Sequence, residues 1–88
     1  MYVVELSERA DKFLDKLDKN MRDRIKDRLR KLATDPVPSD SKFITRDGAD
    51  KVFRARIGDY RALYKVKEDK KIVLIAKIDK RPRIYDRP

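Results

Sequence analysis

Hydrophobic residues recur at two spacings along this 88-residue chain, one typical of strands and one typical of helices. The β-branched run over residues 2–6 favours a short strand, and Ser7 after it can serve as a helix N-cap. Apolar residues then recur three and four positions apart, as they do on one face of a helix. Two helices are predicted, with these apolar positions: Ala10, Phe13, Leu14 and Leu17 in the first, and Met21, Ile25, Leu29 and Leu32 in the second.

The limits of the two helices follow from residues that interrupt this spacing. The segment 18–20 separates the helices, and Asn20 is the expected N-cap of the second one. Pro36 and Pro38 are expected to end the second helix, because proline lacks the backbone N–H that a helix interior needs. A loop is predicted over residues 35–50, before the second half of the chain begins.

The second half of the chain predicts three strands in succession. Residues 52–57 and 60–66 flank Gly58 and Asp59, which suit the two-residue turn of a type II′ hairpin, and residues 72–78 form the last strand. The chain is therefore assigned to the α+β class as a single domain over residues 1–88, in the order β-α-α-β-β-β. A helical hairpin is expected to cover one face of a mainly antiparallel, twisted sheet.

The alternation of side chains in the hairpin predicts a row of cations. Successive residues of a strand point to opposite faces, which puts Arg54 and Arg56 on the face opposite Phe53. The two-residue turn pairs Arg56 with Arg61. An odd-length loop over residues 68–70 puts Lys77 opposite Arg61, so that one row reads Arg56, Arg61, Lys77. With that loop these residues of the third strand face the helices: Ile72, Leu74, Ala76 and Ile78.

Such a row of like charges has to be explained, because like charges placed directly opposite each other destabilise a sheet. A phosphate backbone bound between the charges offsets that cost, so the row indicates a nucleic-acid site. The alternative is a solvent-exposed face on which the long side chains splay apart. Tyr60 and Tyr64 share the face of Phe53 and are expected in the core rather than stacked on bases.

The distribution of charge favours a polyanionic partner. The net charge is +9; residues 42–88 carry fifteen basic against seven acidic residues, whereas residues 1–41 carry ten against nine. A localised excess of this kind is typical of a surface that binds a polyanion. A generally basic protein without such a partner is the alternative.

Other features of composition narrow the chemistry and the setting. The chain has no histidine and no cysteine, so neither a cofactor nor a metal site is expected. No signal peptide and no apolar run long enough to span a membrane are visible, so a soluble cytoplasmic protein is expected. The high charged fraction of 47%, with one asparagine and no glutamine, is typical of a thermophilic source.

The stretch "VFRARIGDYRALYKV", residues 52–66, resembles the central hairpin of the RelE/ParE toxin superfamily, with its alternating basic residues, glycine-containing turn and "YR" pair. The resemblance covers nearly the whole chain and includes the initial strand, the first helix "SERADKFLDKL" and a charged second helix before a proline-containing loop. The basic tail "DKRPRIY" is similar to the ending of RelE-type rather than ParE-type toxins. The chain is thereby identified as an archaeal-like member of the RelE type.

The resemblance implies both a function and partners. A RelE-type toxin of a type II toxin–antitoxin system is a metal-independent endoribonuclease that cuts mRNA in the ribosomal A site and inhibits translation. The implied partners are a cognate RelB-like antitoxin, the ribosome with its mRNA, and operator DNA reached only through the antitoxin. The alternatives are a non-catalytic, ParE-like gyrase inhibitor and an inactive basic nucleic-acid-binding module.

Residue roles are carried over by position in the motifs. The resemblance implies catalytic roles for Arg54, Arg56, Arg61, Arg81 and Tyr85. Three more cations are expected to bind RNA phosphates: Lys77, Lys80 and Arg83. In well-studied members the first hairpin strand carries lysines, whereas the arginines of this chain stay protonated and cannot act as a base. Simpler alternatives exist for four of these residues. Tyr85 would then be a packing residue and Arg81 a plain phosphate contact, while Lys80 and Arg83 would only add positive potential.

Overall fold

In a computed structural model, which describes residues 1–80, two helices pack against one face of a five-stranded sheet. The elements are β1 (Val3–Leu6), α1 (Glu8–Asp15), α2 (Lys19–Arg30), a 3₁₀ helix (Lys31–Ala33), β2 (Lys42–Asp47), β3 (Asp50–Ile57), β4 (Tyr60–Lys67) and β5 (Ile72–Lys80). The strands lie in the order β1-β5-β4-β3-β2, with β1 parallel to β5 and the other neighbours antiparallel. The predicted α+β architecture is confirmed. Within residues 1–80, no helix has the length and apolar character needed to cross a membrane.

The first strand and the first helix meet at Ser7, as the sequence predicts. Ser7 has an extended backbone, and its Oγ accepts a hydrogen bond from the backbone N–H of Ala10 at 3.1 Å. The same hydroxyl donates to the carbonyl oxygen of Ala76 in β5 at 2.8 Å. One residue therefore caps α1 and ties it to the sheet.

The second helix begins and ends earlier than the sequence predicts. Its N-cap is Asp18, whose carboxylate accepts a hydrogen bond from the backbone N–H of Met21 at 2.8 Å, so the expected cap Asn20 lies inside the helix. Aspartate and asparagine cap equally well, so the local sequence could not choose between them. The helix ends at Arg30 and continues as the 3₁₀ helix, well before the prolines at 36 and 38.

An edge strand, β2, occupies part of the predicted loop over residues 35–50. It pairs with β3, and the ring of Phe43 meets that of Phe53 edge to face, with the centroids 5.7 Å apart. Every residue of β2 is exposed, so the strand lacks the alternation of buried and exposed positions by which strands are recognised. Pairing with β3 creates this strand, and the local pattern does not reveal it.

The hydrophobic core lies between the helices and the facing side of the sheet. Its buried residues are Ala10, Leu14, Ile25, Leu29, Leu32, Phe53, Ala55, Ala62, Tyr64, Val66, Val73, Ile75 and Ile78. Tyr64 is fully buried; its ring stacks on Phe53 at 5.8 Å, and its hydroxyl donates to the carbonyl oxygen of Pro36 at 2.8 Å. Tyr60 is partly buried against Phe13. The predicted placement of Tyr64 in the core is confirmed, and Tyr60 packs against the edge of the core on the same face.

Tyr64→Phe is expected to reduce the loss of stability in alkaline solution. Burial raises the pKa of the Tyr64 phenol above its ordinary value of 10.0. The folded state therefore holds this proton more tightly than the unfolded chain does. The resulting stabilisation is complete below about pH 10 and is lost as the pH rises through the folded-state pKa. Urea denaturation between about pH 9 and about pH 11 should show a smaller fall in the free energy of unfolding for the variant than for the wild type.

A matched control for this prediction is Tyr60→Phe, which makes the same chemical change at a partly buried ring and shows what the loss of a tyrosine hydroxyl does outside the core. At neutral pH, Tyr64→Phe should lower the free energy of unfolding by about 1 kcal/mol, because the hydrogen bond from the Tyr64 hydroxyl to Pro36 is lost. Identical pH slopes for the wild type and Tyr64→Phe would contradict the prediction.

The core-facing side of β5 differs from the predicted one. The turn between β4 and β5 has four residues, 68–71, instead of three, and Lys71 adopts a φ of +56°. Lys67 therefore pairs with Ile72, and Val73 and Ile75 turn towards the helices. Three residues that were predicted to face the helices do not belong to the core: Ile72, Leu74 and Ala76.

A β-bulge then changes the register of β5 a second time. The pairing shifts between Leu63 and Tyr64 of β4, and Ala76 is the extra residue on β5. One extra residue turns the following side chains over to the other face of the sheet. Ile78 therefore faces the core and Lys77 faces away from it, as predicted for both, although the register around them is not the predicted one.

Candidate functional site

A tight turn sets the register of the hairpin formed by β3 and β4. Gly58 has a φ of +60°, in the left-handed region that glycine adopts without strain, whereas Asp59 has no positive φ. This pattern is typical of a type II′ turn, which matches the twist of paired strands. The turn pairs Ile57 with Tyr60, as the sequence predicts, and the pairs behind it in the hairpin follow from this one.

Three arginines of the hairpin lie on the outer face of the sheet, the face away from the helices. Arg56 stands directly opposite Arg61, and Arg54 stands opposite Leu63. Their neighbour Ala55 points the other way, into the core. Arg54 and Arg61 are partly buried, whereas Arg56 is exposed. The predicted opposition of two arginines is therefore confirmed.

The third residue of this row is an aspartate rather than Lys77. Asp79 of β5 stands opposite Arg61, so the row across three strands reads Arg56, Arg61, Asp79. Lys77 pairs instead with Leu63. The predicted register is wrong because the longer turn and the bulge together shift β5 by two residues relative to β4. An even shift keeps Lys77 on the outer face.

A shallow depression of about 210 Å³ lies on the outer face where these strands meet. It is lined by Ile44, Arg54, Arg61, Leu63, Lys77 and Asp79. Two of the three hairpin arginines and Lys77 thus share one concave surface. Guanidinium groups suit phosphate oxygens, and apolar side chains suit a sugar or a base, so the lining matches the parts of a nucleotide.

Aspartates neutralise the lysines at the far end of the outer face. Asp47 and Asp50, from the two sides of the β2–β3 turn, accept hydrogen bonds from Lys65 and Lys67 respectively. The hydrogen bond from Lys65 lowers the pKa of the Asp47 carboxyl, and the one to Asp50 raises the pKa of the Lys67 ammonium. Within each pair the lysine and the aspartate offset each other's charge, which concentrates the positive potential of this face near the hairpin turn.

The depression also contains an ion pair of its own. Lys77 Nζ lies 3.2 Å from Asp79 Oδ2, and the two side chains are 39% and 34% exposed. Asp79 is not among the predicted site residues, although a signal existed, because residues two apart in a strand share a face. Ile44 is also missing from the prediction, because β2 itself was not predicted.

The remaining predicted site residues lie at or beyond the end of β5. Lys80 is exposed and stands opposite Tyr60, so it belongs to the face that carries the helices and not to the depression. Arg81, Arg83 and Tyr85 lie outside the described residues. Their roles stay predictions.

Two comparisons with known sequences match nearly the whole chain. A family model described as the ParE toxin of type II toxin–antitoxin system, parDE, matches residues 4–85. A curated protein of Methanocaldococcus jannaschii that carries the name "Putative toxin RelE1" is 36% identical over 86 residues, which are 97% of this chain and 96% of that protein.

Solved structures match over a similar extent. The archaeal RelE–RelB complex from Pyrococcus horikoshii contains a chain with 32% identity and a TM-score of 0.84, and the match covers 93% of this chain and 97% of that one. In the toxin–antitoxin complex RelBE2 of Mycobacterium tuberculosis the identity is 28% and the TM-score 0.76, with coverage of 91% and 98%. The likeness therefore extends over the whole fold rather than over one motif.

Proposed function

The chain belongs to the family of ParE toxins of type II toxin–antitoxin systems and is a RelE-like toxin, and on this premise we propose that it is a ribosome-dependent mRNA endoribonuclease that inhibits translation. The observation that carries the proposal is the depression on the outer face, where Arg54, Arg61 and Lys77 line one concave surface. Clustered cations of this kind bind the phosphates of RNA. A ribosomal target implies a cytoplasmic location.

In the proposed reaction, the 2′-oxygen of one nucleotide attacks the phosphorus that follows it. The bond from phosphorus to the 5′-oxygen breaks, and the products are a 2′,3′-cyclic phosphate and a 5′-hydroxyl. Arg54 and Arg61 hold the non-bridging oxygens while negative charge builds up on them, because the guanidinium group can donate two parallel hydrogen bonds. The bound phosphate also offsets the repulsion between Arg56 and Arg61, which stand opposite each other.

The tail beyond β5 is proposed to complete the site. Arg81 supports the leaving 5′-oxygen, and Tyr85 stacks on a base or helps to move a proton. Arg83 contributes a phosphate contact or positive potential near ribosomal RNA, and Lys80, at the end of β5 on the other face of the sheet, contributes to RNA binding from outside the depression. The chain has no histidine to serve as a tuned acid or base, so cleavage of free RNA should be slow, and the ribosome supplies the orientation of the substrate.

A cognate RelB-like antitoxin is the proposed regulator. The solved relatives from Pyrococcus horikoshii and Mycobacterium tuberculosis are complexes of a toxin with its antitoxin, which supports such a partner for this chain. Operator DNA is proposed to be reached only through that antitoxin.

Inhibition of DNA gyrase is the second candidate function, because the matching family model is that of the ParE toxin. Induced expression without antitoxin separates the candidates. An mRNA endoribonuclease should arrest growth and leave cuts with 2′,3′-cyclic phosphate ends in translated mRNA. A gyrase inhibitor should arrest growth with intact mRNA and damaged DNA. No arrest, together with no cleavage on purified ribosomes, would contradict both and favour an inactive nucleic-acid-binding module.

Binding to single-stranded RNA is expected to weaken steeply with salt. Three phosphate contacts, from Arg54, Arg61 and Lys77, correspond to a slope of about −2 in a plot of log K against log salt concentration. Raising the salt from about 50 to about 200 mM should therefore lower the affinity by roughly 20-fold. The measurement uses RNA with 2′-deoxy nucleotides, which cannot be cleaved by 2′-hydroxyl attack.

Two variants test the contribution of a single phosphate contact to the salt dependence. Arg54→Ala should make the slope shallower by about 0.7, the value for one contact with a single strand. Arg24→Ala makes the same change at an exposed position of α2 and should leave the slope unaltered. An affinity independent of salt would contradict a site made of phosphate contacts.

A further inference from the structure

The proposed reaction needs a group that removes the proton from the attacking 2′-hydroxyl, and Tyr85, the predicted proton-transfer residue, lies outside the described residues. The chain has no histidine. Arg54 and Arg61 stay protonated and can only donate. Lys77, the other cation of the depression, is paired with a carboxylate 3.2 Å away. Among the residues of 1–80 that line the depression, this leaves the carboxylate of Asp79.

The fold brings Asp79 directly to the cations. It stands opposite Arg61 in the sheet, and residues directly opposite each other have Cβ atoms about 5 Å apart. It lines the same depression as Arg54 and Lys77, and its side chain is 34% exposed, so a substrate can reach it. A phosphate bound by Arg61 therefore has this carboxylate beside it.

We propose that Asp79 is the general base of the reaction, an inference that rests on the proposed endoribonuclease function. Asp79 takes the proton of the 2′-hydroxyl while the 2′-oxygen forms its bond to phosphorus. The bond from phosphorus to the 5′-oxygen breaks, and the leaving oxygen takes a proton from water. The ion pair with Lys77 orients the carboxylate, and the surrounding cations offset its repulsion of the phosphate.

A carboxylate that only balances charge would respond to mutation in a different way. Its removal would make the depression more positive, so RNA would bind more tightly and cleavage would continue. Removal of a base would also leave binding intact or tighter, but the chemical step would fail. Binding and the rate of cleavage, measured separately, therefore distinguish the two roles.

The test compares Asp79→Asn and Asp79→Glu with the wild type. Single-turnover cleavage is measured on ribosomes programmed with mRNA, and binding is measured on the same complex with a 2′-deoxy nucleotide at the cleavage site. Asp79→Asn should lower the rate constant by at least about a hundredfold, with equal or tighter binding. Asp79→Glu keeps the carboxylate and should recover part of the rate.

A matched control makes the same loss of charge elsewhere. Asp69 lies in the exposed turn between β4 and β5, and the variant Asp69→Asn should cleave mRNA like the wild type. The Tm of each variant, measured alongside, separates loss of chemistry from loss of folding.

The outcomes distinguish failure of the role of Asp79 from failure of the proposed function. Cleavage by Asp79→Asn at the wild-type rate would overturn the role of Asp79 and leave the proposed function standing. Parallel loss of binding and rate in Asp79→Asn, without recovery in Asp79→Glu, would indicate a structural role and would also overturn it. Absence of cleavage by the folded wild type would overturn both proposals.

Discussion

Arg61→Ala is expected to slow mRNA cleavage on ribosomes by about two to three orders of magnitude, the usual cost of removing one preorganised donor from a site that stabilises developing charge. Arg61 lies opposite Arg56 on one neighbouring strand and opposite Asp79 on the other, and it lines the depression. No other position of the hairpin combines these contacts. Arg61→Lys should recover little, because an ammonium group lacks the paired donors of a guanidinium group.

The effect is measured as the rate of single-turnover cleavage, with primer extension on the mRNA to detect the cuts. Relief of growth arrest gives an independent readout. Arg24→Ala in α2 is the matched control, because it removes an exposed arginine far along the chain from the hairpin. Arg81→Ala tests the tail in the same assay. Wild-type cleavage by Arg61→Ala would contradict the proposed site, whatever the outcome for the tail.

Leu14→Ala is expected to lower the free energy of unfolding by about 3–5 kcal/mol. Leu14 of α1 is fully buried in the core beneath the sheet, so its truncation removes apolar contacts and leaves a cavity. A chain of this length has a total stability of about 4–13 kcal/mol, so the variant should lose a large part of it. The outer face is untouched, and activity should fall only as far as the protein unfolds.

Leu17→Ala makes the same chemical change at a residue that is only partly buried at the edge of the core. It should lower the free energy of unfolding by clearly less, because less buried apolar surface is lost and no enclosed cavity is left. Urea denaturation at neutral pH measures both variants, and equal m-values show that the denatured states are comparable. Equal destabilisation by the two variants would contradict the placement of Leu14 at the centre of the core.

The hairpin could be predicted in detail from its sequence because its turn is short. Gly58 provides the left-handed backbone that a two-residue turn needs, and such a turn allows one register. The opposition of Arg56 and Arg61 followed directly, and so did the assignment of Tyr64 to the core.

The position of β5 could not be predicted in the same way. Its register depends on the length of the turn over residues 68–71 and on the extra residue Ala76, and neither has a local signature. The longer turn and the extra residue each shift the register of β5 by one residue. Together they place Asp79 opposite Arg61, where Lys77 was predicted. The edge strand β2, with Ile44, was missed because none of its residues is buried.

By itself, the sequence determined the α+β class, the cap at Ser7, the apolar faces of the two helices and the placing of three arginines on one side of a hairpin. These features depend on periodicity, capping and turn chemistry, which act within a few residues. Only the tertiary structure decided which strands lie beside the hairpin and which of their side chains complete the depression. That choice depends on packing between segments far apart in the chain, and it placed the carboxylate of Asp79 among the cations that line the depression.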